Sequence, residues 1–197
     1  VYTKNGEVRA RISGRLRQDG LHPAVGDWVA FSEDNSGTCT IHAVLPRKNK
    51  ISRKDAGRAT GEQVIVTNID TAFIMTSLNR DLNMRRLERY LAIVGQSGVD
   101  PVIVLNKSDI CRDIDARIND VKAIAPNVPV HAVSATEDVG LGSLSLYLQD
   151  GKTVVLLGSS GVGKSTLINA LEGVERQKVG AIREDDSRGR HITTVRE

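Results

Sequence analysis

The sequence predicts a small all-β barrel over residues 1–60, followed by an α/β domain with a parallel sheet over residues 61–197. Three observations predict it. Apolar and polar residues alternate in short runs through the first sixty positions, with turn residues between them. From residue 64, β-branched apolar runs alternate with segments of helical period. One of those runs, Val154 to Leu157, leads into a glycine-rich loop that opens a helix.

In the first module Val8, Ala10 and Ile12 alternate with Arg9 and Arg11. Gly26 to Phe31 reads as a second strand and Thr38 to Leu45 as a third, joined by the polar turn Glu33-Asp34-Asn35-Ser36-Gly37. No helical period competes here, and Trp28 and Phe31 are expected in the core. Several short strands in so few residues suggest a barrel of the oligonucleotide-binding type. The boundary is expected at residues 57–63, where Gly57, Thr60 and Gly61 interrupt the pattern.

The second module opens with two β-branched runs, Val64 to Thr67 and Thr71 to Ser77. Met84 to Gly95 is helical, with Leu87, Tyr90, Leu91 and Val94 on one stripe. Pro101 to Leu105 is a buried strand. Ile114 to Ala125 is helical, Pro129 to Val133 a strand, Leu141 to Leu148 a short helix, and Thr153 to Leu157 a strand before a helix from about Gly163 to Leu171. This alternation is that of a parallel sheet with helical crossovers.

Composition narrows the class. Of 197 residues, 40% are apolar and 26% charged, which excludes a wholly disordered chain. No apolar run approaches the ~18 residues of a membrane span, and no signal peptide opens the chain. The net charge of +3 is unevenly spread. Residues 1–60 hold 11 Lys or Arg against 6 Asp or Glu (+5), and the remainder 16 against 18 (−2). Cys39 and Cys111 form no CxxC, which fits a reducing compartment and excludes a disulfide framework or a zinc site within the chain.

Gly158-Ser159-Ser160-Gly161-Val162-Gly163-Lys164-Ser165 matches G-x-x-x-x-G-K-[ST], with Thr166 continuing into the helix. Polyphosphate needs several N–H donors converging from one side. Glycines let the backbone curl to aim them, and a helix N-terminus adds more. Lys164 can reach the β- and γ-phosphates, and the Ser165 hydroxyl can ligate Mg²⁺. The bland alternative is an ordinary glycine-rich turn, which the flanking strand and helix disfavour.

Asn106-Lys107-Ser108-Asp109 follows directly on a strand. A carboxylate there can accept from the guanine ring N–H and exocyclic amine, a donor pair adenine lacks. Lys107 can lay its stem over the base, and Asn106 can tie this loop to the phosphate loop. Taken alone, the four residues read as a strand-end turn. Ser134-Ala135, after a third strand, can present a backbone N–H to the guanine carbonyl. With all three motifs at strand ends, the reading is GTP over ATP. Their order is unusual: base-reading motifs precede the phosphate loop, which a circular permutation explains because domain termini often lie close together.

These residues, with Val25-Gly26-Asp27-Trp28-Val29, Asn68-Ile69-Asp70 and Gly189-Arg190-His191-Ile192-Thr193-Thr194, resemble the circularly permuted ribosome-assembly GTPases, specifically the bacterial small-ribosomal-subunit-dependent GTPases. The last segment is similar to the family's Gly-Arg-His-Thr-Thr-Thr switch and differs at Ile192. The resemblance covers nearly the whole chain. It implies a P-loop GTPase domain, circularly permuted, behind an oligonucleotide-binding barrel that contacts ribosomal RNA. It implies hydrolysis of GTP to GDP, stimulated by the small subunit in late maturation, by a cytoplasmic monomer with no membrane partner. Zinc is implied only in a C-terminal module beyond Glu197.

Two formal Asp-x-x-Gly matches, at Asp34 and Asp186, do not follow buried strands, and the family's loop would lie beyond Glu197; hydrolysis by this chain is therefore expected to be impaired. His191 is read either as the residue positioning the attacking water or as an RNA-facing loop histidine. Thr193 or Thr194 can ligate Mg²⁺ when nucleotide orders the segment, or else starts a solvated strand. Arg9 and Arg11, with Arg47, Lys48, Lys50, Arg53 and Lys54, are candidate contacts to RNA phosphates; otherwise they are a solvated charged face. The main rival function is a nucleotide-gated RNA-binding module without useful hydrolysis. A weaker one is a P-loop ATPase or kinase.

Overall fold

A computed structural model describes residues 1–34, 37–54, 62–79, 82–173 and 191–196; for 53–54 and 191–196 it describes the backbone alone. Contacts divide the chain into two units, Val1–Asn68 and Ile69–Glu197.

The first unit is built from short ladders. Strands β1 (Tyr2–Thr3) and β2 (Gly6–Glu7) form a hairpin, and β3 (Ala10–Ile12), β4 (Val29–Glu33) and β5 (Cys39–Val44) form a sheet of order β3-β5-β4. Strands β6 (Lys50–Lys54) and β7 (Glu62–Thr67) pair antiparallel, and a Val25–Val66 bridge joins them to the loop before β4. Leu16, Cys39, Ile41, Ile51 and Val66 are buried.

Three sequence expectations change here. A five-residue helix, α1 (Gly14–Gln18), stands where no helix was read; Ser13 caps it through the Leu16 N–H, and the buried Leu16 anchors it. So short a helix leaves no periodic signal. The first unit runs to Asn68 rather than residue 60, because β7 pairs with β6; residues 55–61, on which the expected boundary falls, lie outside the described set. Trp28 and Phe31 are not core: they are 65% and 36% exposed.

A bidentate ion pair braces this unit. Asp27 accepts from Arg47 Nε at 2.8 Å and Nη2 at 2.7 Å, from the Ala24 N–H at 2.8 Å and from the Thr67 hydroxyl at 2.8 Å. Burial raises the Asp27 pKa, but these donors outweigh it and hold the carboxylate below its ordinary range. Gly26 has a φ of +97°, and a Cβ there would run into the Thr67 carbonyl, so the turn before Asp27 requires glycine.

The second unit is an α/β layer structure. Strands β8 (Thr71–Ser77), β9 (Asp100–Asn106), β10 (Val130–Ala132) and β11 (Thr153–Gly158) are parallel, and β12 (His191–Arg196) adds antiparallel to β11. The order is β10-β9-β8-β11-β12. Strand β8 is buried along its whole length, as a central strand covered on both faces must be. Helices α2 (Met84–Gly95), α3 (Ile114–Ile124) and α4 (Lys164–Glu172) fall where the periodicity places them. Asn83 and Asp113 cap α2 and α3 through the Arg86 and Ala116 N–H groups. Residues Leu141–Tyr147, expected as a short helix, form a 3₁₀ turn that buries Leu144 in the core with Phe73, Val104 and Leu156. Among the described residues no helix is long and apolar enough to cross a membrane.

Candidate functional site

The strand order fixes where a ligand can sit. From β8 the chain builds outward through β9 and β10, then returns to place β11 on the other side of β8. The crevice at the C-terminal ends of β8 and β11 is therefore a topological switch point, the usual ligand site of an open α/β sheet.

The phosphate loop leaves β11 at this point. Its Gly161 and Gly163 have φ values of +77° and +95°, and the Leu167 N–H bonds the Gly163 carbonyl to start α4. Lys164, the first residue of α4, is buried, and its ammonium donates to the Gly158 and Ser159 carbonyls at 3.0 and 2.8 Å. Burial pushes its pKa down to about 8. A buried ammonium facing neutral oxygens gains most from a bound anion, and a phosphate would raise the pKa again. Ser165 and Thr166 are half-buried in the first turn.

Asn106, the last residue of β9 and 2% exposed, joins three strand-end loops. Its amide donates to the Val162 carbonyl at 2.9 Å, and its Oδ1 accepts the Ala135 N–H at 3.1 Å. A Cβ on Gly163 would run into that same amide nitrogen. Lys107, left-handed at φ +62°, donates to the Gly161 carbonyl at 2.9 Å. Asp109 is exposed, and its Oδ1 accepts from the Ser134 hydroxyl at 2.6 Å. A bridge between Ser134 and Val139 closes the loop beneath them. The structure thus brings Asn106, Lys107, Asp109, Ser134 and Ala135 to the edge that carries Gly158–Thr166, with Asn106 and Lys107 linking the loop after β9 to the glycine-rich loop after β11.

Among the described residues no three His, Cys, Asp or Glu side chains gather to hold a metal. A hard divalent ion such as Mg²⁺ fits this edge through Ser165 and phosphate oxygens, since it keeps much of its water. Pairing of β12 with β11 sets His191 opposite Gly158, Thr193 opposite Leu156 and Thr194 opposite Val155. His191 is therefore level with the start of the phosphate loop, while the threonines are two and three residues back along the strand. Their side chains, and all of Asp186–Gly189, lie outside the described residues.

The candidate RNA contacts separate. Arg9 and Arg11 are exposed. Arg47 instead spends its guanidinium on Asp27, and Lys50 pairs with Glu62 at 2.6 Å. Lys48 is exposed, and its backbone N–H bonds Asn68. The side chains of Arg53 and Lys54 lie outside the described residues. Two features escaped the sequence reading: the Asp27–Arg47 pair, twenty residues apart in the chain, and the exposure of Trp28. Alternation could not give the second, since a bulge between Ala30 and Phe31 breaks the phase of β4.

Comparison with known proteins agrees with this geometry. The RsgA GTPase family model matches residues 44–197 and the RsgA N-terminal domain model residues 1–41. The chain is 50% identical over 198 residues to the small ribosomal subunit biogenesis GTPase RsgA of Methanosarcina acetivorans, across 100% of this chain and 54% of that protein. It is 45% identical over 201 residues to RsgA 2 of Lactiplantibacillus plantarum, across 100% and 57%. The chain thus spans about half the length of the curated relatives it matches. The crystal structure of YjeQ from Thermotoga maritima superposes with a TM-score of 0.66 at 27% identity, over 85% of this chain and 58% of that one. YloQ, titled a circularly permuted GTPase, superposes at 0.58 and 24% identity over 87% and 58%, a likeness of fold. The fold is accordingly a circularly permuted GTPase domain behind a small all-β module of the oligonucleotide-binding type, and the chain belongs to the RsgA GTPase family.

Proposed function

We propose that the chain forms the nucleotide-binding and RNA-contacting part of a cytoplasmic, monomeric factor that binds and hydrolyses GTP in late maturation of the small ribosomal subunit, with hydrolysis stimulated by the subunit. The observation that carries this reading is the Asn106 bridge, which couples the base-reading loops to the phosphate loop. Support for the partner comes from the relatives' names, which are those of small ribosomal subunit biogenesis GTPases.

In this reading Asp109, oriented by Ser134, selects guanine through its paired donors. The Ala135 N–H, accepted here by Asn106 Oδ1, would be shared with the guanine carbonyl, and Lys107 would lie beside the base. The N–H groups of Gly158–Ser165 cradle the phosphates, and Thr166 supports the first helical turn. Lys164 leaves its carbonyl partners for the β- and γ-phosphates. Ser165 would hold Mg²⁺, with Thr193 or Thr194, and the ion would supply neutralisation of charge developing on the phosphates. His191, level with Gly158, positions the attacking water.

Two measurements test it. Single-turnover hydrolysis of GTP by the longer protein should accelerate on adding small subunits, and His191→Ala should remove the acceleration. Equal rates with and without subunits would favour the rival, a nucleotide-gated RNA-binding module without useful hydrolysis. Asp109→Asn should weaken GTP binding by about a hundredfold, as for a lost charged pairing of ~3 kcal/mol, and turn preference to xanthosine triphosphate. Unchanged guanine preference would overturn the base-reading assignment and leave a P-loop ATPase or kinase.

A further inference from the structure

The hydrogen-bond chain that holds the Asp109 carboxylate runs one residue further than Ser134. Asp109 is exposed, whereas Ser134 is wholly buried. The Ser134 hydroxyl oxygen lies 2.6 Å from Asp109 Oδ1, 3.2 Å from the Thr136 hydroxyl oxygen and 3.3 Å from the Glu137 nitrogen. Donor counting fixes the direction of each bond. A carboxylate only accepts, so the single Ser134 proton goes to Asp109. The Ser134 oxygen then has two lone pairs to offer. The Glu137 N–H donates to one, so between the two hydroxyls Thr136 must be the donor and Ser134 the acceptor. The run is Thr136 to Ser134 to Asp109, with each hydroxyl proton pointing toward the charge.

The backbone holds Thr136 where it can do this. Ser134 and Val139 exchange both of their backbone bonds, at 2.9 and 3.1 Å, which closes residues 135–138 into a turn. Asp138 takes the left-handed φ of +53° that the turn needs. Gly140 follows at φ +75°, where a Cβ would run into the Ala132 carbonyl. Thr136 is itself exposed, and its side chain folds back onto the buried start of its own turn.

Two consequences reach Asp109. A hydroxyl that accepts a bond becomes a stronger donor, so Thr136 strengthens the Ser134 bond to the carboxylate. Ser134 also cannot rotate away without leaving two donors behind. Water competes for the oxygens of an exposed carboxylate, and a fixed partner on Oδ1 limits its rotamers. That single bond leaves Oδ2 and a second Oδ1 lone pair for two N–H donors of a ligand.

We propose that Thr136 is a positioning residue for guanine selection, holding the Asp109 carboxylate through Ser134 in the rotamer that accepts both N–H donors of the base. The inference rests on the reading of Asp109 as the base-reading carboxylate and adds a residue outside the motifs that gave that reading. Both bonds into Ser134 are long, so the effect is one of a few-fold.

The test compares GDP with inosine diphosphate, which lacks the exocyclic amine and so offers Asp109 one donor. A two-point contact needs one rotamer, and a one-point contact tolerates several. In the full chain Thr136→Val, which keeps the shape and removes the hydroxyl, should weaken GDP binding by about three- to tenfold. Inosine diphosphate should lose less, so the preference for GDP narrows. Thr136→Ser, which keeps the hydroxyl, should restore the parent preference. Circular dichroism matching the parent shows that the variants fold. Equal losses for the two nucleotides, or no recovery in Thr136→Ser, would reduce Thr136 to support of its turn and overturn the inference. An intact preference in Thr136→Val beside a lost one in Asp109→Asn would overturn it and leave the base-reading assignment standing. An intact preference in Asp109→Asn would remove that assignment as well.

Discussion

Gly163→Ala is expected to abolish tight nucleotide binding while leaving the second unit folded. The residue sits at φ +95°, which costs an alanine ~1–2 kcal/mol. The larger effect is steric. A Cβ there runs into the amide nitrogen of the buried Asn106, which must shift. Moving that amide breaks its bond to the Val162 carbonyl and disturbs the Oδ1 that holds the Ala135 N–H. Leaving such groups unsatisfied costs ~1–3 kcal/mol each. Together these effects amount to ~3–8 kcal/mol, and the lower end already means a loss of about a hundredfold in affinity for a fluorescent guanine nucleotide. Gly173→Ala is the control. It too has a positive φ, +65°, but an added Cβ meets nothing within 4 Å, so it tests strain without collision. Near-parental affinity in Gly163→Ala would show that the Asn106 bridge does not couple the two loops.

That bridge shows how far the sequence could be read. The phosphate loop was legible because one spacing rule covers eight contiguous residues, and the strand and helix around it carry periodic patterns. Asn106, Lys107, Asp109, Ser134 and Ala135 were legible as residue types, and their convergence followed from their motifs ending strands of one parallel sheet. The reason Gly163 must be glycine was not legible, because its neighbour Asn106 lies 57 positions earlier in the chain. The first unit resisted more. A stretch of basic residues from Arg47 to Lys54 looks uniform in one dimension. In three, Arg47 turns to an aspartate twenty residues upstream and Lys50 to Glu62 on the paired strand. Trp28 was assigned to the core by residue type, and the bulge between Ala30 and Phe31 leaves the sequence alternation no guide to its side of the sheet. Type predicts burial only on average, and the pleat decides in each case.

The Asp27–Arg47 pair should dominate the stability of the first unit. Asp27 is 1% exposed at its side chain and Arg47 23%, so removing the carboxylate strands a guanidinium that is mostly shielded from water. It also deprives the Ala24 N–H and the Thr67 hydroxyl of their acceptor. Loss of one partner from a buried pair costs ~3–5 kcal/mol, and the partial exposure of Arg47 argues for the lower end, about 3 kcal/mol. Asp27→Ala should lower the urea midpoint followed by Trp28 emission, since the indole is the next residue in the chain. Arg47→Met should cost less than Asp27→Ala, because its thioether fills space while Asp27 keeps two of its donors. The pH dependence has a definite sign. Because the folded-state pKa of Asp27 is lowered, its contribution is complete above the unfolded value of about 3.9 and is lost as pH falls through the folded value below it. The parent should therefore lose stability more steeply than Asp27→Ala on acidification below about pH 4, and the two curves should converge. Parallel acid curves, or an Asp27→Ala midpoint equal to the parent's, would show that the pair is incidental and that the apolar residues Ile41, Ile51 and Val66 hold the unit without it.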